Sequence, residues 1–178
     1  DIESNNLLYT DNHGYFTQER VRREEVYEFD SANYYPTQLS TFIRDSKSQL
    51  TILPSQSRGV ASLKSGQVEF MLHRRTSRDD GRGLGLALND TTTVVVTLRL
   101  IVDTPERSTQ LRHIQSQLLN YPLDTITVDY NSNNWTELNI HNRYDYNQYF
   151  TSVYKAVNYD LPSAVHLQTL QSHSSNDS

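Results

Sequence analysis

The sequence predicts an all-β fold, mainly an antiparallel β-sandwich with one short helix. Short runs rich in β-branched, aromatic and aliphatic residues recur along its 178 residues. Polar or glycine-bearing turns separate them, and only one stretch repeats apolar residues at helical spacing. Thr41 to Arg44 and Gln49 to Leu53 read as strands on composition. In Gln67 to Arg74, Val68, Phe70 and Leu72 alternate with Glu69, Met71 and His73, the period of a strand with one buried face, and Ser65-Gly66 reads as its preceding turn. Val94 to Val102, within the run that opens at Thr93, is apolar on both parities until Arg99. That pattern predicts a strand in the sandwich interior, with Arg99 toward water. Leu111, Ile114, Leu118 and Leu119 carry the helical spacing, with Ser108 or Thr109 as caps and Asn120 and Pro122 as the stop. Thr125 to Tyr130, Trp135 to Ile140 and Ala164 to Leu170 read as further strands and Asn131 to Asn134 as a turn. Residues 1–170 are thus expected to form a β-sandwich domain segment, and residues 171–178 a flexible polar end.

Length and composition bound the function. A 35% hydrophobic share with twelve tyrosines suffices for one core at this length. A net charge of −5, with acidic and basic residues interspersed, offers no footprint for nucleic acid or an anionic membrane, so neither partner is expected. No apolar run approaches the roughly 18 residues of a membrane helix. The chain opens at Asp1 without a leader pattern, so it is expected to begin inside a longer protein or after processing. It has no cysteine, which removes disulfides and thiol chemistry. Three sequons, at Asn89, Asn134 and Asn176, point toward glycosylation and the secretory route.

The densest chemistry is His73-Arg74-Arg75 followed by Asp79-Asp80-Gly81-Arg82-Gly83-Leu84-Gly85. Glycine permits positive φ and close approach of the backbone to a ligand. A functional reading therefore places Arg82 at a substrate-binding site, supported by Asp79, Asp80, Gly81 and Gly83. The competing reading is an Arg–Asp network that ties the loop to the sheet. Two adjacent carboxylates make a poor glycosidase pair, because neighbours in an extended segment face opposite ways and a retaining pair must sit about 5–5.5 Å apart across the bond. No catalytic residue is therefore assigned in this chain. The Gly-x-Gly-x-Gly run is followed by neither a helix pattern nor Gly-Lys-Ser/Thr, which argues against a nucleotide site. The six histidines lack ligand spacing, so no metal site is assigned. Tyr34-Tyr35 and Tyr144, Tyr146 and Tyr149 could stack on sugars or fill a core.

An ordered series of motifs adds a resemblance. Tyr9-Thr10-Asp11, Ala32-Asn33-Tyr34-Tyr35-Pro36, Ile43-x-Asp45, Gln49 to Leu53, Ser62-Leu63-x-Ser65-Gly66 and His73-Arg74-Arg75-x-x-x-Asp79-Asp80-Gly81-Arg82-Gly83-Leu84 follow one another. In that order the chain resembles glycoside hydrolase family 38, the Golgi and lysosomal class II α-mannosidases, over their central β domain. The likeness resumes at Leu161-Pro162-x-x-Val165-His166-Leu167. His13 stands where the family commonly has Asn before the glycine of a Thr-Asp-x-Asn-Gly turn. Met71 to Arg75 looks lysosomal, whereas Gly59 to Leu63 and Arg82 to Gly85 look Golgi-like.

The resemblance implies a segment of a retaining α-mannosidase acting on terminal α-mannosyl residues of N-glycans. Its zinc and its aspartate nucleophile would lie upstream, so no cofactor is expected on this chain and the isolated chain is expected to be inactive. Arg82 matches the sugar-contacting arginine of the family's Asp-Asp-x-Arg-Gly loop. The implied partners are the catalytic portion of the same enzyme and a mannose-containing glycan, in the lumen of the secretory pathway (lysosome or Golgi) or outside the cell. The alternative is a stand-alone β-sandwich that binds glycans or proteins without enzyme activity.

Overall fold

The computed structural model of the chain describes residues 1–122 except Asp80, Leu84, Leu86 and Leu88, together with Tyr144, Asp145, Gln148, Leu161, Pro162 and Val165. The chain divides into two compact units, one of residues 1–122 and 166–178 and one of residues 123–165. In the second, Tyr144 and Asp145 are helical. The strands expected beyond Thr125, the turn at Asn131 to Asn134 and the end from Gln171 lie outside the described residues, apart from Val165, which is not strand.

Among its described residues, the first unit holds two antiparallel sheets and one helix of several turns. The larger sheet contains β1 (Leu7–Asn12), β2 (Phe16–Val21), β4 (Thr41–Arg44), β5 (Gln49–Pro54) and β8 (Leu98–Asp103). Their order is β2-β1-β4-β5-β8. The smaller sheet, in the order β3-β6-β7, contains β3 (Tyr35–Thr37), β6 (Arg58–Ala61) and β7 (Glu69–Phe70). A single helical turn, α1 (Phe29–Ala32), precedes β3, and α2 (Pro105–Asn120) follows β8. Leu8 and Ile43 of the large sheet meet Val60 of the small one, and Ile2, Tyr35, Leu50, Val68 and Phe70 pack around them. This shared apolar layer is the core of the sandwich expected from the sequence.

Asparagine and glycine set the entry to β1 and its hairpin. Asn5 and Asn6 both have positive φ, and Leu7 N donates to Ser4 O at 2.9 Å. Asparagine tolerates that left-handed backbone better than most residues. At the β1–β2 turn His13 (φ 50°) and Gly14 (φ 75°) repeat the pattern. The Ser65-Gly66 turn also forms, with Gln67 N bonded to Lys64 O at 3.2 Å. Gly66 has φ 79°, and a Cβ there would lie 2.8 Å from Ile2 O, so no other residue fits without a backbone shift.

The structure corrects several local expectations. Of the Gln67 to Arg74 run only Glu69 and Phe70 are strand, with Met71 N still bonded to Gly59 O at 2.9 Å, and Leu72 is exposed. Residues 93–97 are not strand, and β8 starts at Leu98. Leu100 and Val102 are exposed rather than interior, because β8 lies at one end of the described sheet order while the small sheet packs elsewhere. Arg99, expected toward water, turns inward and donates to Gln115 O at 3.0 Å and Gln115 Oε1 at 2.7 Å. The helix begins a turn earlier than Ser108, because Thr104 caps it by accepting from Arg107 N at 3.3 Å. Pro105 fits the first helical position, where its missing N–H is not needed.

The helix also buries a different stripe from the one its leucines mark. Ser108 and Ser116 are its buried residues, whereas Ile114 and Leu118 are exposed. Small serines bring the helix close, and Arg112 fills the contact with its guanidinium Cζ 5.1 Å from the Phe42 ring centroid. Tyr9 stacks on Phe42 with centroids 4.6 Å apart and planes at 6°, and Arg44 covers Tyr9 at 4.8 Å. On the face of the large sheet turned toward the helix, this arginine and aromatic layer stands beside the buried Leu53.

Candidate functional site

Two aspartate-glycine turns organise the polar chemistry. The first centres on Asp11, at the end of the Tyr9-Thr10-Asp11 motif. Asp11 is 5% exposed. Its Oδ1 accepts from Thr37 Oγ1 at 2.9 Å, Gln38 N at 2.9 Å, Leu39 N at 3.0 Å and Ser40 N at 3.1 Å. Its Oδ2 accepts from Gly14 N at 2.9 Å. One carboxylate thus fixes the β1–β2 turn and the β3–β4 connection together. Behind it, burial lowers the Arg112 pKa; the charge of Asp11 opposes that shift and Arg44 adds to it.

Asn33, in the Asn-Tyr-Tyr-Pro motif, has the same kind of role. It is 1% exposed, accepts from Arg23 N at 2.7 Å, and donates to Arg23 O at 2.9 Å and Phe29 O at 2.7 Å. Next to it, the Tyr34 hydroxyl donates to Glu69 Oε1. Burial, then that bond and the Glu69 charge, push the Tyr34 pKa up to about 12. Tyr35 packs on the core beneath the Arg20 guanidinium, 4.8 Å from its ring centroid. Tyr34, Tyr35, Pro36, Arg58 and Gly59 line a shallow cavity of about 380 Å³. Of the two readings that the sequence left open for this pair, core packing is the one Tyr35 shows.

The second turn lies in the connection between β7 and β8. Gly81 N donates to Asp79 Oδ2 at 2.8 Å, and Gly81 has φ 73°. His73, Arg74, Arg75, Asp79 and Arg82 are all exposed, and Asp80 lies outside the described residues. Asp79 therefore acts on the loop's own backbone at Gly81. A Cβ at Gly81, Gly83 or Gly85 would meet nothing within 4 Å among the described residues. Packing within the described structure therefore gives no reason for Gly83, whereas Gly81 and Gly85 (φ 69°) are explained by backbone conformation.

Among the described residues, no three His, Cys, Asp or Glu side chains converge as metal ligands would. The described residues thus do not fit a zinc site, and no chemical step is assigned to zinc on them. Also among the described residues, no helix is long and apolar enough to cross a membrane. The Asp11 hub and the Arg112 layer were not foreseen from sequence. The Asn12-His13-Gly14 turn between two β-prone segments is the signal that could have located the first.

Comparison with known proteins agrees with the architecture. Residues 1–82 match the sequence model of the glycosyl hydrolases family 38 C-terminal domain. The chain is 33% identical over 176 residues to the lysosomal alpha-mannosidase of Dictyostelium discoideum, covering 92% of this chain and 16% of that protein. It is 34% identical over 188 residues to the alpha-mannosidase of Canavalia ensiformis (96% and 18%), and 37% over 135 residues to alpha-mannosidase 2 of Homo sapiens (69% and 12%). The chain belongs to glycoside hydrolase family 38, as a C-terminal domain segment of the class II α-mannosidase type. It spans less than a fifth of the length of each of these relatives.

Proposed function

We propose that this chain is the non-catalytic β-domain part of a retaining α-mannosidase that hydrolyses terminal α-mannosyl residues of N-glycans in the lumen of the secretory pathway. It supplies scaffold and one sugar-contacting loop, and the nucleophile and zinc ligands belong to the catalytic portion of the parent enzyme. The observation that supports the loop's role is the exposed Arg82 between Gly81 and Gly83, where an added Cβ would meet nothing among the described residues. A guanidinium presents several donors in a fixed fork, which suits vicinal sugar hydroxyls. Arg82 therefore binds and positions the sugar, while bond breaking is done elsewhere. Asp79 shapes the turn that carries it.

The test is Arg82→Ala in the parent enzyme. Losing a charged hydrogen bond of about 1.5–3 kcal/mol should lower kcat/KM for an α-mannoside roughly 10–100-fold, with the thermal midpoint unchanged. Unaltered kinetics would remove Arg82 from the site. Hydrolysis of an α-mannoside by the isolated, zinc-supplemented chain would refute the division of labour.

A further inference from the structure

The connection that carries Arg82 also holds Asn89, seven residues on, and there the structure adds something a sequon alone does not. Asn89, Asp90 and Thr91 are all exposed. Arg75 reaches across the connection and sets both arms of its fork on the Asn89 amide oxygen, Nε at 2.8 Å and Nη2 at 2.5 Å. Because both donors converge on Oδ1, the Asn89 Nδ2 group is turned away from Arg75. Asn89 N bonds Ala87 O at 2.9 Å, and Asp90 Oδ1 accepts from Thr92 N at 2.8 Å and Thr92 Oγ1 at 2.6 Å. The backbone is thus folded into local turns on both sides of the asparagine, a surface setting typical of aspartate and asparagine turns.

We infer that Asn89 carries an N-linked glycan whose root is held in a fixed orientation by Arg75. The inference rests on the lumenal location proposed above. In the modification, Nδ2 forms a bond to C1 of the reducing-end sugar of a polyprenyl-diphosphate oligosaccharide. The C1–O bond to phosphate breaks, the polyprenyl diphosphate leaves, and one amide proton passes to base. The carboxamide oxygen takes no part and keeps its lone pairs, so the Arg75 fork survives glycosylation unchanged. A free surface asparagine would let its glycan swing about χ1 and χ2. With Oδ1 held by Arg75, the sugar leaves the surface in one direction.

The full chain, expressed behind a secretion signal in a eukaryotic cell that N-glycosylates, gives the test. Peptide mapping with and without peptide N-glycosidase should show a glycan on the Asn89 peptide in most molecules, lost in Asn89→Gln and in Thr91→Ala. A bare Asn89 in secreted wild-type protein overturns the site. Thr91→Ala keeps the fork while removing the glycan, so the two parts can be separated. For the fork, native-state proteolysis between residues 73 and 97 should speed up about 5–10-fold in glycosylated Arg75→Ala, as expected for loss of one charge-assisted bond. Arg75→Lys should be intermediate, since lysine cannot fork. An unchanged cleavage rate in Arg75→Ala overturns the orienting role. Mannosidase kinetics bear on Arg82 alone, so failure of the proposed function and failure of this inference give different results.

Discussion

Asp11 and Asp79 each hold a downstream glycine N–H, three residues on and two residues on, and put that bond to opposite uses. Each accepts a hydrogen bond from a downstream glycine N–H, Gly14 and Gly81, at a residue of positive φ. Asp11 is buried and also gathers the Thr37 hydroxyl and the N–H groups of residues 38–40. Asp79 is exposed, and among the described residues its one recorded hydrogen bond is to Gly81. An aspartate-glycine turn is thus neither a scaffold nor a site in itself. The number of other segments that converge on the carboxylate decides which it becomes.

The largest expected effect tests the scaffold side of that contrast. Asp11→Ala should destabilise the chain by roughly 3–5 kcal/mol in urea unfolding, because it leaves several buried N–H groups without an acceptor. A loss below about 1 kcal/mol would show that water replaces the carboxylate and would erase the distinction from Asp79. Gly66→Ala comes next, at about 1–3 kcal/mol by the same measurement, since it combines positive φ with an approach to Ile2 O.

A smaller effect should appear only in alkali. The folded-state pKa of Tyr34 lies above its unfolded value of 10, so its contribution is fully present below pH 10 and fades as pH rises toward about 12. Ultraviolet titration should find one phenol ionising near that upper value, absent in Tyr34→Phe. A phenol at its ordinary value would deny the Glu69 contact. The smallest change belongs to the exposed turn: Asp79→Ala should leave the thermal midpoint where it is. A lowered midpoint would make the Arg82 loop part of the scaffold after all.

The paired strands β4 and β5 were legible in the sequence because their apolar and β-branched residues are also their buried ones, Ile43, Ile52 and Leu53 among them. The neighbouring β1 and β2 were not. β2 carries Gln18, Glu19 and Arg20 along an outer strand, and β1 buries Thr10 and Asp11, so neither shows the apolar alternation that marks a strand. The apolar residues of α2 disclosed a helix but misplaced its face, since serine and arginine make the contact and hydropathy reads both as solvent-facing. For the candidate site, the residue types around Arg82 were evident in advance. What each touches was not, because Asp79 pairs with backbone and Arg75 with an asparagine fourteen residues away.

The layer of Arg44, Tyr9, Phe42 and Arg112 also makes the helix-to-sheet contact directional. A guanidinium is attracted to a ring only over its face, so Arg112 fixes where the helix sits against Phe42. Aliphatic side chains would let the helix slide with little loss. Here a small shift takes the cation off the ring and costs the contact its electrostatic part.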